Sequence, residues 1–295
     1  MKRKIVKQGT ATMTVSLPSS WIKKNSLSNG DDIDVEEVHN GLVINTANAK
    51  IGNVFSFHSS TKGIMTARTI VGAYCLGYDE IDVKFSDPSV FKKVQDAVSE
   101  LIGFEIINQT KSGCVIKELT GITEKEFSPV FRRFFRIVVD IFDEGLDAIK
   151  NKDKAAIESL ILRDKDVNKF CNLSIRYLNK SGADSNEMTS TYIVICYSLE
   201  DISDYFKEIL KLCLTENISK KDLDLISDVV NLFKLAYDFT FKLDEGIAVS
   251  ASQSFEKIKT ELKNDKNADL RINSLVSLLN SRIISIVGLQ SPFSK

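Results

Sequence analysis

The chain has 295 residues, more than one typical domain, with 43% hydrophobic and 27% charged residues and a formal net charge of −1. This composition excludes a disordered chain and a membrane-embedded one. The near-neutral balance excludes global attraction to nucleic acid or lipid, so only local charge carries information.

Cys75, Cys114, Cys171, Cys196 and Cys213 form no C-x-x-C pair and are odd in number, which fits reduced thiols and a cytoplasmic location better than a disulfide framework. The basic start MKRKIVKQGT leads into no apolar segment, and no run of about 18 apolar residues is apparent, so neither a signal peptide nor membrane insertion is expected. With His39 and His58 the sole histidines, Cys/His zinc spacing is missing.

The fold class expected is α+β and multidomain, in three regions: 1–48, 49–122 and 123–295. From Lys4 to Thr46 the pattern is of short strands: IVKQG, TMTVSLP with alternating Met13, Val15 and Leu17, DDIDVEEV and GLVIN. Between the second and third, SSWIKKNSLSNGDD reads as a short helix with Ser19 or Ser20 as N-cap and Asn29-Gly30 as the exit. Asn40-Gly41 signals a type I′ hairpin turn. Four strands this short cannot bury a core alone, so this region is expected to dimerise.

From about Val54 to Leu119 strands and helices alternate: VFSF, a helix to Gly77, EIDVKF, the helix DPSVFKKVQDAVSEL, then FEIINQT and CVIKEL. Asp87 is expected to cap the second helix, with Pro88 at its first position. This β-α-β-α-β-β order suggests a small α+β sandwich, ferredoxin-like or ACT-like, of a kind that senses ligands or dimerises.

From Glu124 onward the period is helical, with helices expected at about 126–151, 153–179, 187–214, 222–262 and 267–287, the fourth broken near Gly246. Phe131, Phe135, Val138, Phe142 and Leu146 form one apolar stripe. Ile195, Leu199, Ile202, Phe206, Ile209 and Cys213 form another, with Glu200 and Asp204 on the opposite face. Asp140, Asp143 and Asp147 likewise lie opposite the first stripe. Like charges one turn apart repel mildly unless a cation neutralises them. Either a metal ion does so, or Arg136 pairs with Asp140 and Lys207 with Asp204 on a solvated face.

Lys2, Arg3, Lys4, Lys7, Lys23 and Lys24 precede the first acid, Asp31. In a two-fold dimer this local charge doubles, enough for several phosphate contacts. Lys7-x-Gly9, TVSLP ending at Pro18, Trp21-Ile22 and Gly30-Asp31 together resemble the AbrB/SpoVT/MazE family over residues 1 to about 48. The resemblance implies a swapped-hairpin β-barrel homodimer that binds DNA, with Lys4, Lys7, Thr10, Thr12, Ser19 and Lys23 as contacts and Gly9 and Gly30 as backbone turns.

Over about residues 125–290 the chain resembles the PhoU family, on FRRFFRIVVDIFDEGLDAIKNKDKAAIESLILRDKDVNKF and SLEDISDYFKEI. The resemblance implies helical bundles whose acidic motifs bind iron, zinc or similar ions, here Asp143 and Asp147, Asp164 with Asn168, and Glu200 and Asp204. All-oxygen ligands favour Mg²⁺ or Mn²⁺ on chemical grounds. A degenerate second copy sets Asp244 against Asp153, and Asn280 and Ile284 against Glu200 and Asp204.

No Walker loop, G-x-G-x-x-G or nucleophile triad is present, and a di-metal hydrolase would need histidine ligands, so no enzyme is expected. Taken together, the two resemblances imply an archaeal, non-enzymatic regulator of phosphate uptake that binds DNA and senses phosphate status through its bundles. The competing reading is an adaptor that inhibits a phosphate transporter or its signalling partners, with the N-terminal region used for dimerisation alone.

Overall fold

The computed structural model describes residues 2–9, 12–38, 41–46, 53–59, 64–120, 127–182, 186–264 and 269–293. It divides into two compact units, Met1–Gly52 and Asn53–Lys295.

The first unit holds two antiparallel hairpins, β1 (Val6–Gln8) with β2 (Thr12–Thr14) and β3 (Ile33–Val38) with β4 (Gly41–Thr46), and the short helix α1 (Ser19–Lys24). Gly9 and Gly30 take φ of 75° and 99°, left-handed values that glycine adopts without strain, as the turns require. Two local expectations are corrected. Pro18, not a serine, occupies the N-cap of α1, and no side chain caps it. Val38 pairs with Gly41, so Gly41 belongs to the strand, while His39 and Asn40 lie outside the described residues. None of the residues with a described side-chain environment in this unit is buried. Ile5 is 73% exposed, Met13 64% and Leu42 62%.

The second unit begins with β5 (Val54–Ser59), α2 (Thr66–Cys75), β6 (Glu80–Phe85), α3 (Val90–Val98), β7 (Phe104–Thr110) and β8 (Gly113–Glu118). The sheet order is β5-β6-β8-β7, with β5 and β6 parallel and the other pairs antiparallel. This corrects the ferredoxin-like expectation, which needs a split β-α-β-β-α-β chain order. Here the crossover through α2 returns the chain beside its own starting strand, and the closing hairpin adds through β8. The buried residues Ile81, Val83 and Phe85 alternate along β6, and Tyr74 of α2 sets its ring edge-on to Phe104 of β7 at 5.0 Å. Helix α3 starts at Val90, later than expected. Asp87 instead accepts from the Ser89 N–H at 2.8 Å, closing a turn that contains Pro88.

Among the described residues seven α-helices follow: α4 (Phe127–Asn151), α5 (Lys154–Leu162), α6 (Asp164–Ser181), α7 (Asn186–Thr215), α8 (Lys220–Lys242), α9 (Glu245–Asn264) and α10 (Leu270–Gln290). The helix expected over 153–179 is two helices. The chain turns at Arg163, and Asp164 and Asp166 place their charges in the first turn of α6, where the exposed N–H groups favour acids. The break expected near Gly246 falls at Leu243, whose φ is 52°.

The turns at the two positions set against each other, Asp153 and Asp244, share one geometry. Lys152 (φ 53°) precedes Asp153, which caps α5 by accepting from the Ala156 N–H, and Leu243 precedes Asp244, which accepts from the Ile247 N–H at the start of α9. Both turns leave a long helix through one left-handed residue and re-enter through a capping aspartate. The core runs through both apolar stripes. Phe142 stacks on Phe206 at 4.0 Å and lies 4.7 Å from Phe233, joining α4, α7 and α8.

The segment Leu270–Phe293 is long and apolar enough by composition to cross a membrane. In this fold its inner face, including Val276, Leu279, Ile283 and Ile286, is buried in the bundle. Gln290 accepts a hydrogen bond from Thr240 of α8 at 2.8 Å.

Residues 53–295 form one compact unit, and within it Arg176 fastens α6 to the sheet module. Its side chain is 1% exposed. The guanidinium donates to the Tyr74 and Tyr78 carbonyls at 2.8 Å each, to Asp79 at 3.2 Å and to Glu118 at 2.9 Å. It also lies 4.9 Å from the Tyr74 ring centroid and 4.8 Å from that of Phe104. Lys180, one turn on, reaches the same two carboxylates at 2.6 and 3.2 Å.

Candidate functional site

The acidic residues of the helical region lie where the 3.6-residue period puts them, opposite the buried stripes of α4 and α7, and most are answered by a base. Arg136 pairs with Asp140 at 2.9 Å, Lys234 of α8 with Asp143 at 2.6 Å, Arg163 with Glu144 at 2.7 Å, and Arg282 of α10 with Asp201 at 2.9 Å. Asp147 is exposed.

Three acids do gather. Asp164 opens α6, Glu200 and Asp204 lie one turn apart on α7, and Lys207 reaches into the group. Its ammonium bonds Asp164 Oδ2 at 2.7 Å and also bonds Asp204 Oδ1. Lys207 is 20% exposed and Asp164 17%, so this ion pair is largely shielded from water. Burial raises the Asp164 pKa, opposed by Lys207 and reinforced by Asp204. Glu200 is pushed up to about 7, first by burial and then by the charges of Asp204, Asp201 and Asp164, with Lys207 pulling the other way. Burial works against the Lys207 charge, yet its bonds to Asp164 and Asp204 win and raise its pKa. Asp164 Oδ1 is buried and has no hydrogen-bond partner.

The other candidate residues belong to the N-terminal unit. Lys4, Lys7, Thr12, Ser19 and Lys23 are all exposed, while Thr10 lies outside the described residues. Pairing of β1 with β2 sets Lys7 opposite Met13 and Thr12 opposite Gln8, and Lys23 and Lys24 form the last turn of α1. All five cysteines are free. Burial pushes the Cys75 thiol up to about 12 and the Cys213 thiol to about 11, so these thiols stay protonated and unreactive at neutral pH.

The family model described as the PhoU domain matches residues 131–213, from the second turn of α4 to the end of α7. The match contains Asp143, Asp147, Asp164, Glu200, Asp204 and Lys207. A solved structure similar to the chain is the phosphate transport system regulatory protein PhoU from Streptococcus pneumoniae, at 14% identity and TM-score 0.44, covering 56% of this chain and 88% of that one. No curated protein matches the chain.

The metal expected from the PhoU resemblance does not fit the residues as they stand. Among the described residues no three His, Cys, Asp or Glu side chains are arranged to hold a metal ion. The five carboxylates expected to converge are divided: Asp143 is turned to Lys234, Asp147 faces solvent, and an ammonium joins the two aspartates of the remaining three. Oxygen ligands must approach a divalent ion at about 2.0–2.6 Å with open lone pairs. Here one oxygen of Asp164 and one of Asp204 already accept from the Lys207 ammonium, whose charge occupies the space between them.

Sequence spacing identified Lys207 as a partner of Asp204 but not of Asp164, which lies on another helix. Lys234, Arg282 and Arg176 were missed for the same reason: each answers an acid on a different element, and periodicity along one helix carries no signal for that.

Proposed function

We propose that the chain is a non-enzymatic regulator of phosphate uptake that binds DNA as a homodimer through its N-terminal unit. The observation that carries the regulatory half is the PhoU-domain match over residues 131–213, within α4 to α7, followed by a second helical stretch entered through the same left-handed residue and capping aspartate.

The DNA-binding half rests on two features of the first unit. Lys2, Arg3, Lys4, Lys7, Lys23 and Lys24 are all exposed, with no acid before Asp31. The same unit leaves Ile5, Val6, Met13, Val15, Val35 and Leu42 at 45% exposure or more. A small domain with its apolar side chains in water gains its core from a partner. A second copy, interleaving its hairpins with the first, supplies that core and doubles the basic charge. The swapped-hairpin reading of residues 1–48 accounts for both features at once.

The test uses the full-length protein and DNA from upstream of phosphate-transport genes. Neutralising Lys4, Lys7 and Lys23 together removes six charges from a dimer, so the slope of log K against log salt should shrink by about 5, at roughly 0.9 per phosphate contact. Sedimentation should give a dimer at micromolar concentration. A monomer refutes the interleaved hairpins. A dimer whose salt slope is unmoved by the three substitutions refutes DNA binding and leaves the adaptor reading.

A further inference from the structure

Most acids of the helical face are answered by a base, and the most buried case is the one in which metal would be expected. Lys207 is tethered to α7 three residues after Asp204, yet it bonds across to Asp164 at the start of α6 and so joins two helices through a single positive charge. That is the mechanical task a bridging divalent ion performs between carboxylates on neighbouring helices. Two cations cannot share the space, since like charges a few ångströms apart in a partly buried site repel strongly.

We propose that Lys207 is a built-in cation standing where a divalent ion would lie among Asp164, Glu200 and Asp204, so that this bundle is held by a tethered ammonium and does not recruit metal. A tethered charge is present at fixed local concentration whatever the metal supply, so the first bundle keeps its shape independently of the metal content of its surroundings. Glu200 completes the arrangement: it faces the same group of acids but makes no ion pair with Lys207. Removing the lysine therefore leaves three neighbouring carboxylates, one on α6 and two on α7, without a cation and free to turn toward one. All-oxygen ligands of that kind select Mn²⁺ or Mg²⁺. The inference does not depend on DNA binding, and its test reads metal binding alone.

Mn²⁺ binding to full-length protein is measured by calorimetry, with thermal melting in the presence and absence of millimolar Mn²⁺. Wild type should show no saturable site and no shift in melting temperature. Lys207→Gln should acquire one Mn²⁺ site at least about tenfold tighter than any wild-type binding, with melting raised by the ion. Lys207→Gln combined with Glu200→Gln and Asp204→Asn should lose it again, and Lys207→Arg should stay metal-free. If Lys207→Gln folds poorly by itself, refolding with and without Mn²⁺ gives the same answer: recovery with the ion supports the proposal, and none overturns it. A saturable wild-type site that Asp164→Asn abolishes also overturns it, as does a folded Lys207→Gln that gains no Mn²⁺.

Discussion

Arg176→Ala should be among the most damaging single substitutions in the second unit, and the structure sets its magnitude. The native guanidinium satisfies two carbonyls on the α2 side and two carboxylates of the sheet module, with its side chain 1% exposed and two aromatic rings against it. Removing one partner from a buried charge pair costs about 3–5 kcal/mol, because the other partner is left buried and uncompensated. Lys180 still reaches Asp79 and Glu118, which offsets part of that loss. The expected cost is therefore about 3 kcal/mol, the lower end of that range. In guanidinium chloride, with a slope of about 5 kcal/mol/M, the unfolding midpoint should fall by roughly 0.6 M. Because this residue ties the sheet module to α6, the variant should also unfold in two separated steps, the module before the helices. Arg176→Lys should recover little, since an ammonium cannot present the planar fork that meets two carbonyls and two carboxylates together. Denaturation followed by circular dichroism gives both readings. A loss below about 1 kcal/mol, the value of an exposed pair, would refute the reasoning.

Three further outcomes follow from local geometry. In Gly145→Ala the new methyl would sit 2.6 Å from Phe206 Cε1 and 3.3 Å from Leu210 Cδ2, and Phe206 is held against Phe142, so stability should fall by about 1–3 kcal/mol despite alanine's higher helix propensity; an unchanged melting temperature contradicts the packing of α4 on α7. Glu200, half-buried beside Asp164 of α6 and Asp201, Asp204 and Lys207 of α7, has its pKa raised from 4.5 to about 7, so the folded state holds its proton where the unfolded state has lost it, and stability falls as pH rises through that window. Glu200→Gln should match wild type at the acid end and exceed it near pH 8 by on the order of 1 kcal/mol after allowance for partial exposure, and parallel melting curves across this range refute the assignment. Asp153→Ala and Asp244→Ala should each cost about 1 kcal/mol, as loss of a helix cap does, and a cost at one site alone would break the equivalence of the two turns.

How much of this was legible in the sequence depends on how far along the chain each cause reaches. The apolar stripes of α4 and α7 and the strands of the sheet module are set by neighbours within one or two turns, and composition and period reveal them. So are the pairs Arg136–Asp140 and Lys207–Asp204, one turn apart on a helix. Helix ends were less legible: the breaks at Arg163 and Leu243 occur at residues with no strong turn preference, where the packing of the flanking helices overrides propensity. The order β5-β6-β8-β7 was not legible, because β-α-β-α-β-β permits more than one sheet and only the packed faces choose. Least legible were the charges that act between elements. Lys207 on Asp164, Lys234 on Asp143 and Arg176 on the sheet module pair residues that are distant in sequence, and periodicity along one helix says nothing about what a neighbouring helix presents. The sequence by itself determined that acids line the helical face. Only the tertiary structure decided that a lysine joins Asp164 to Asp204.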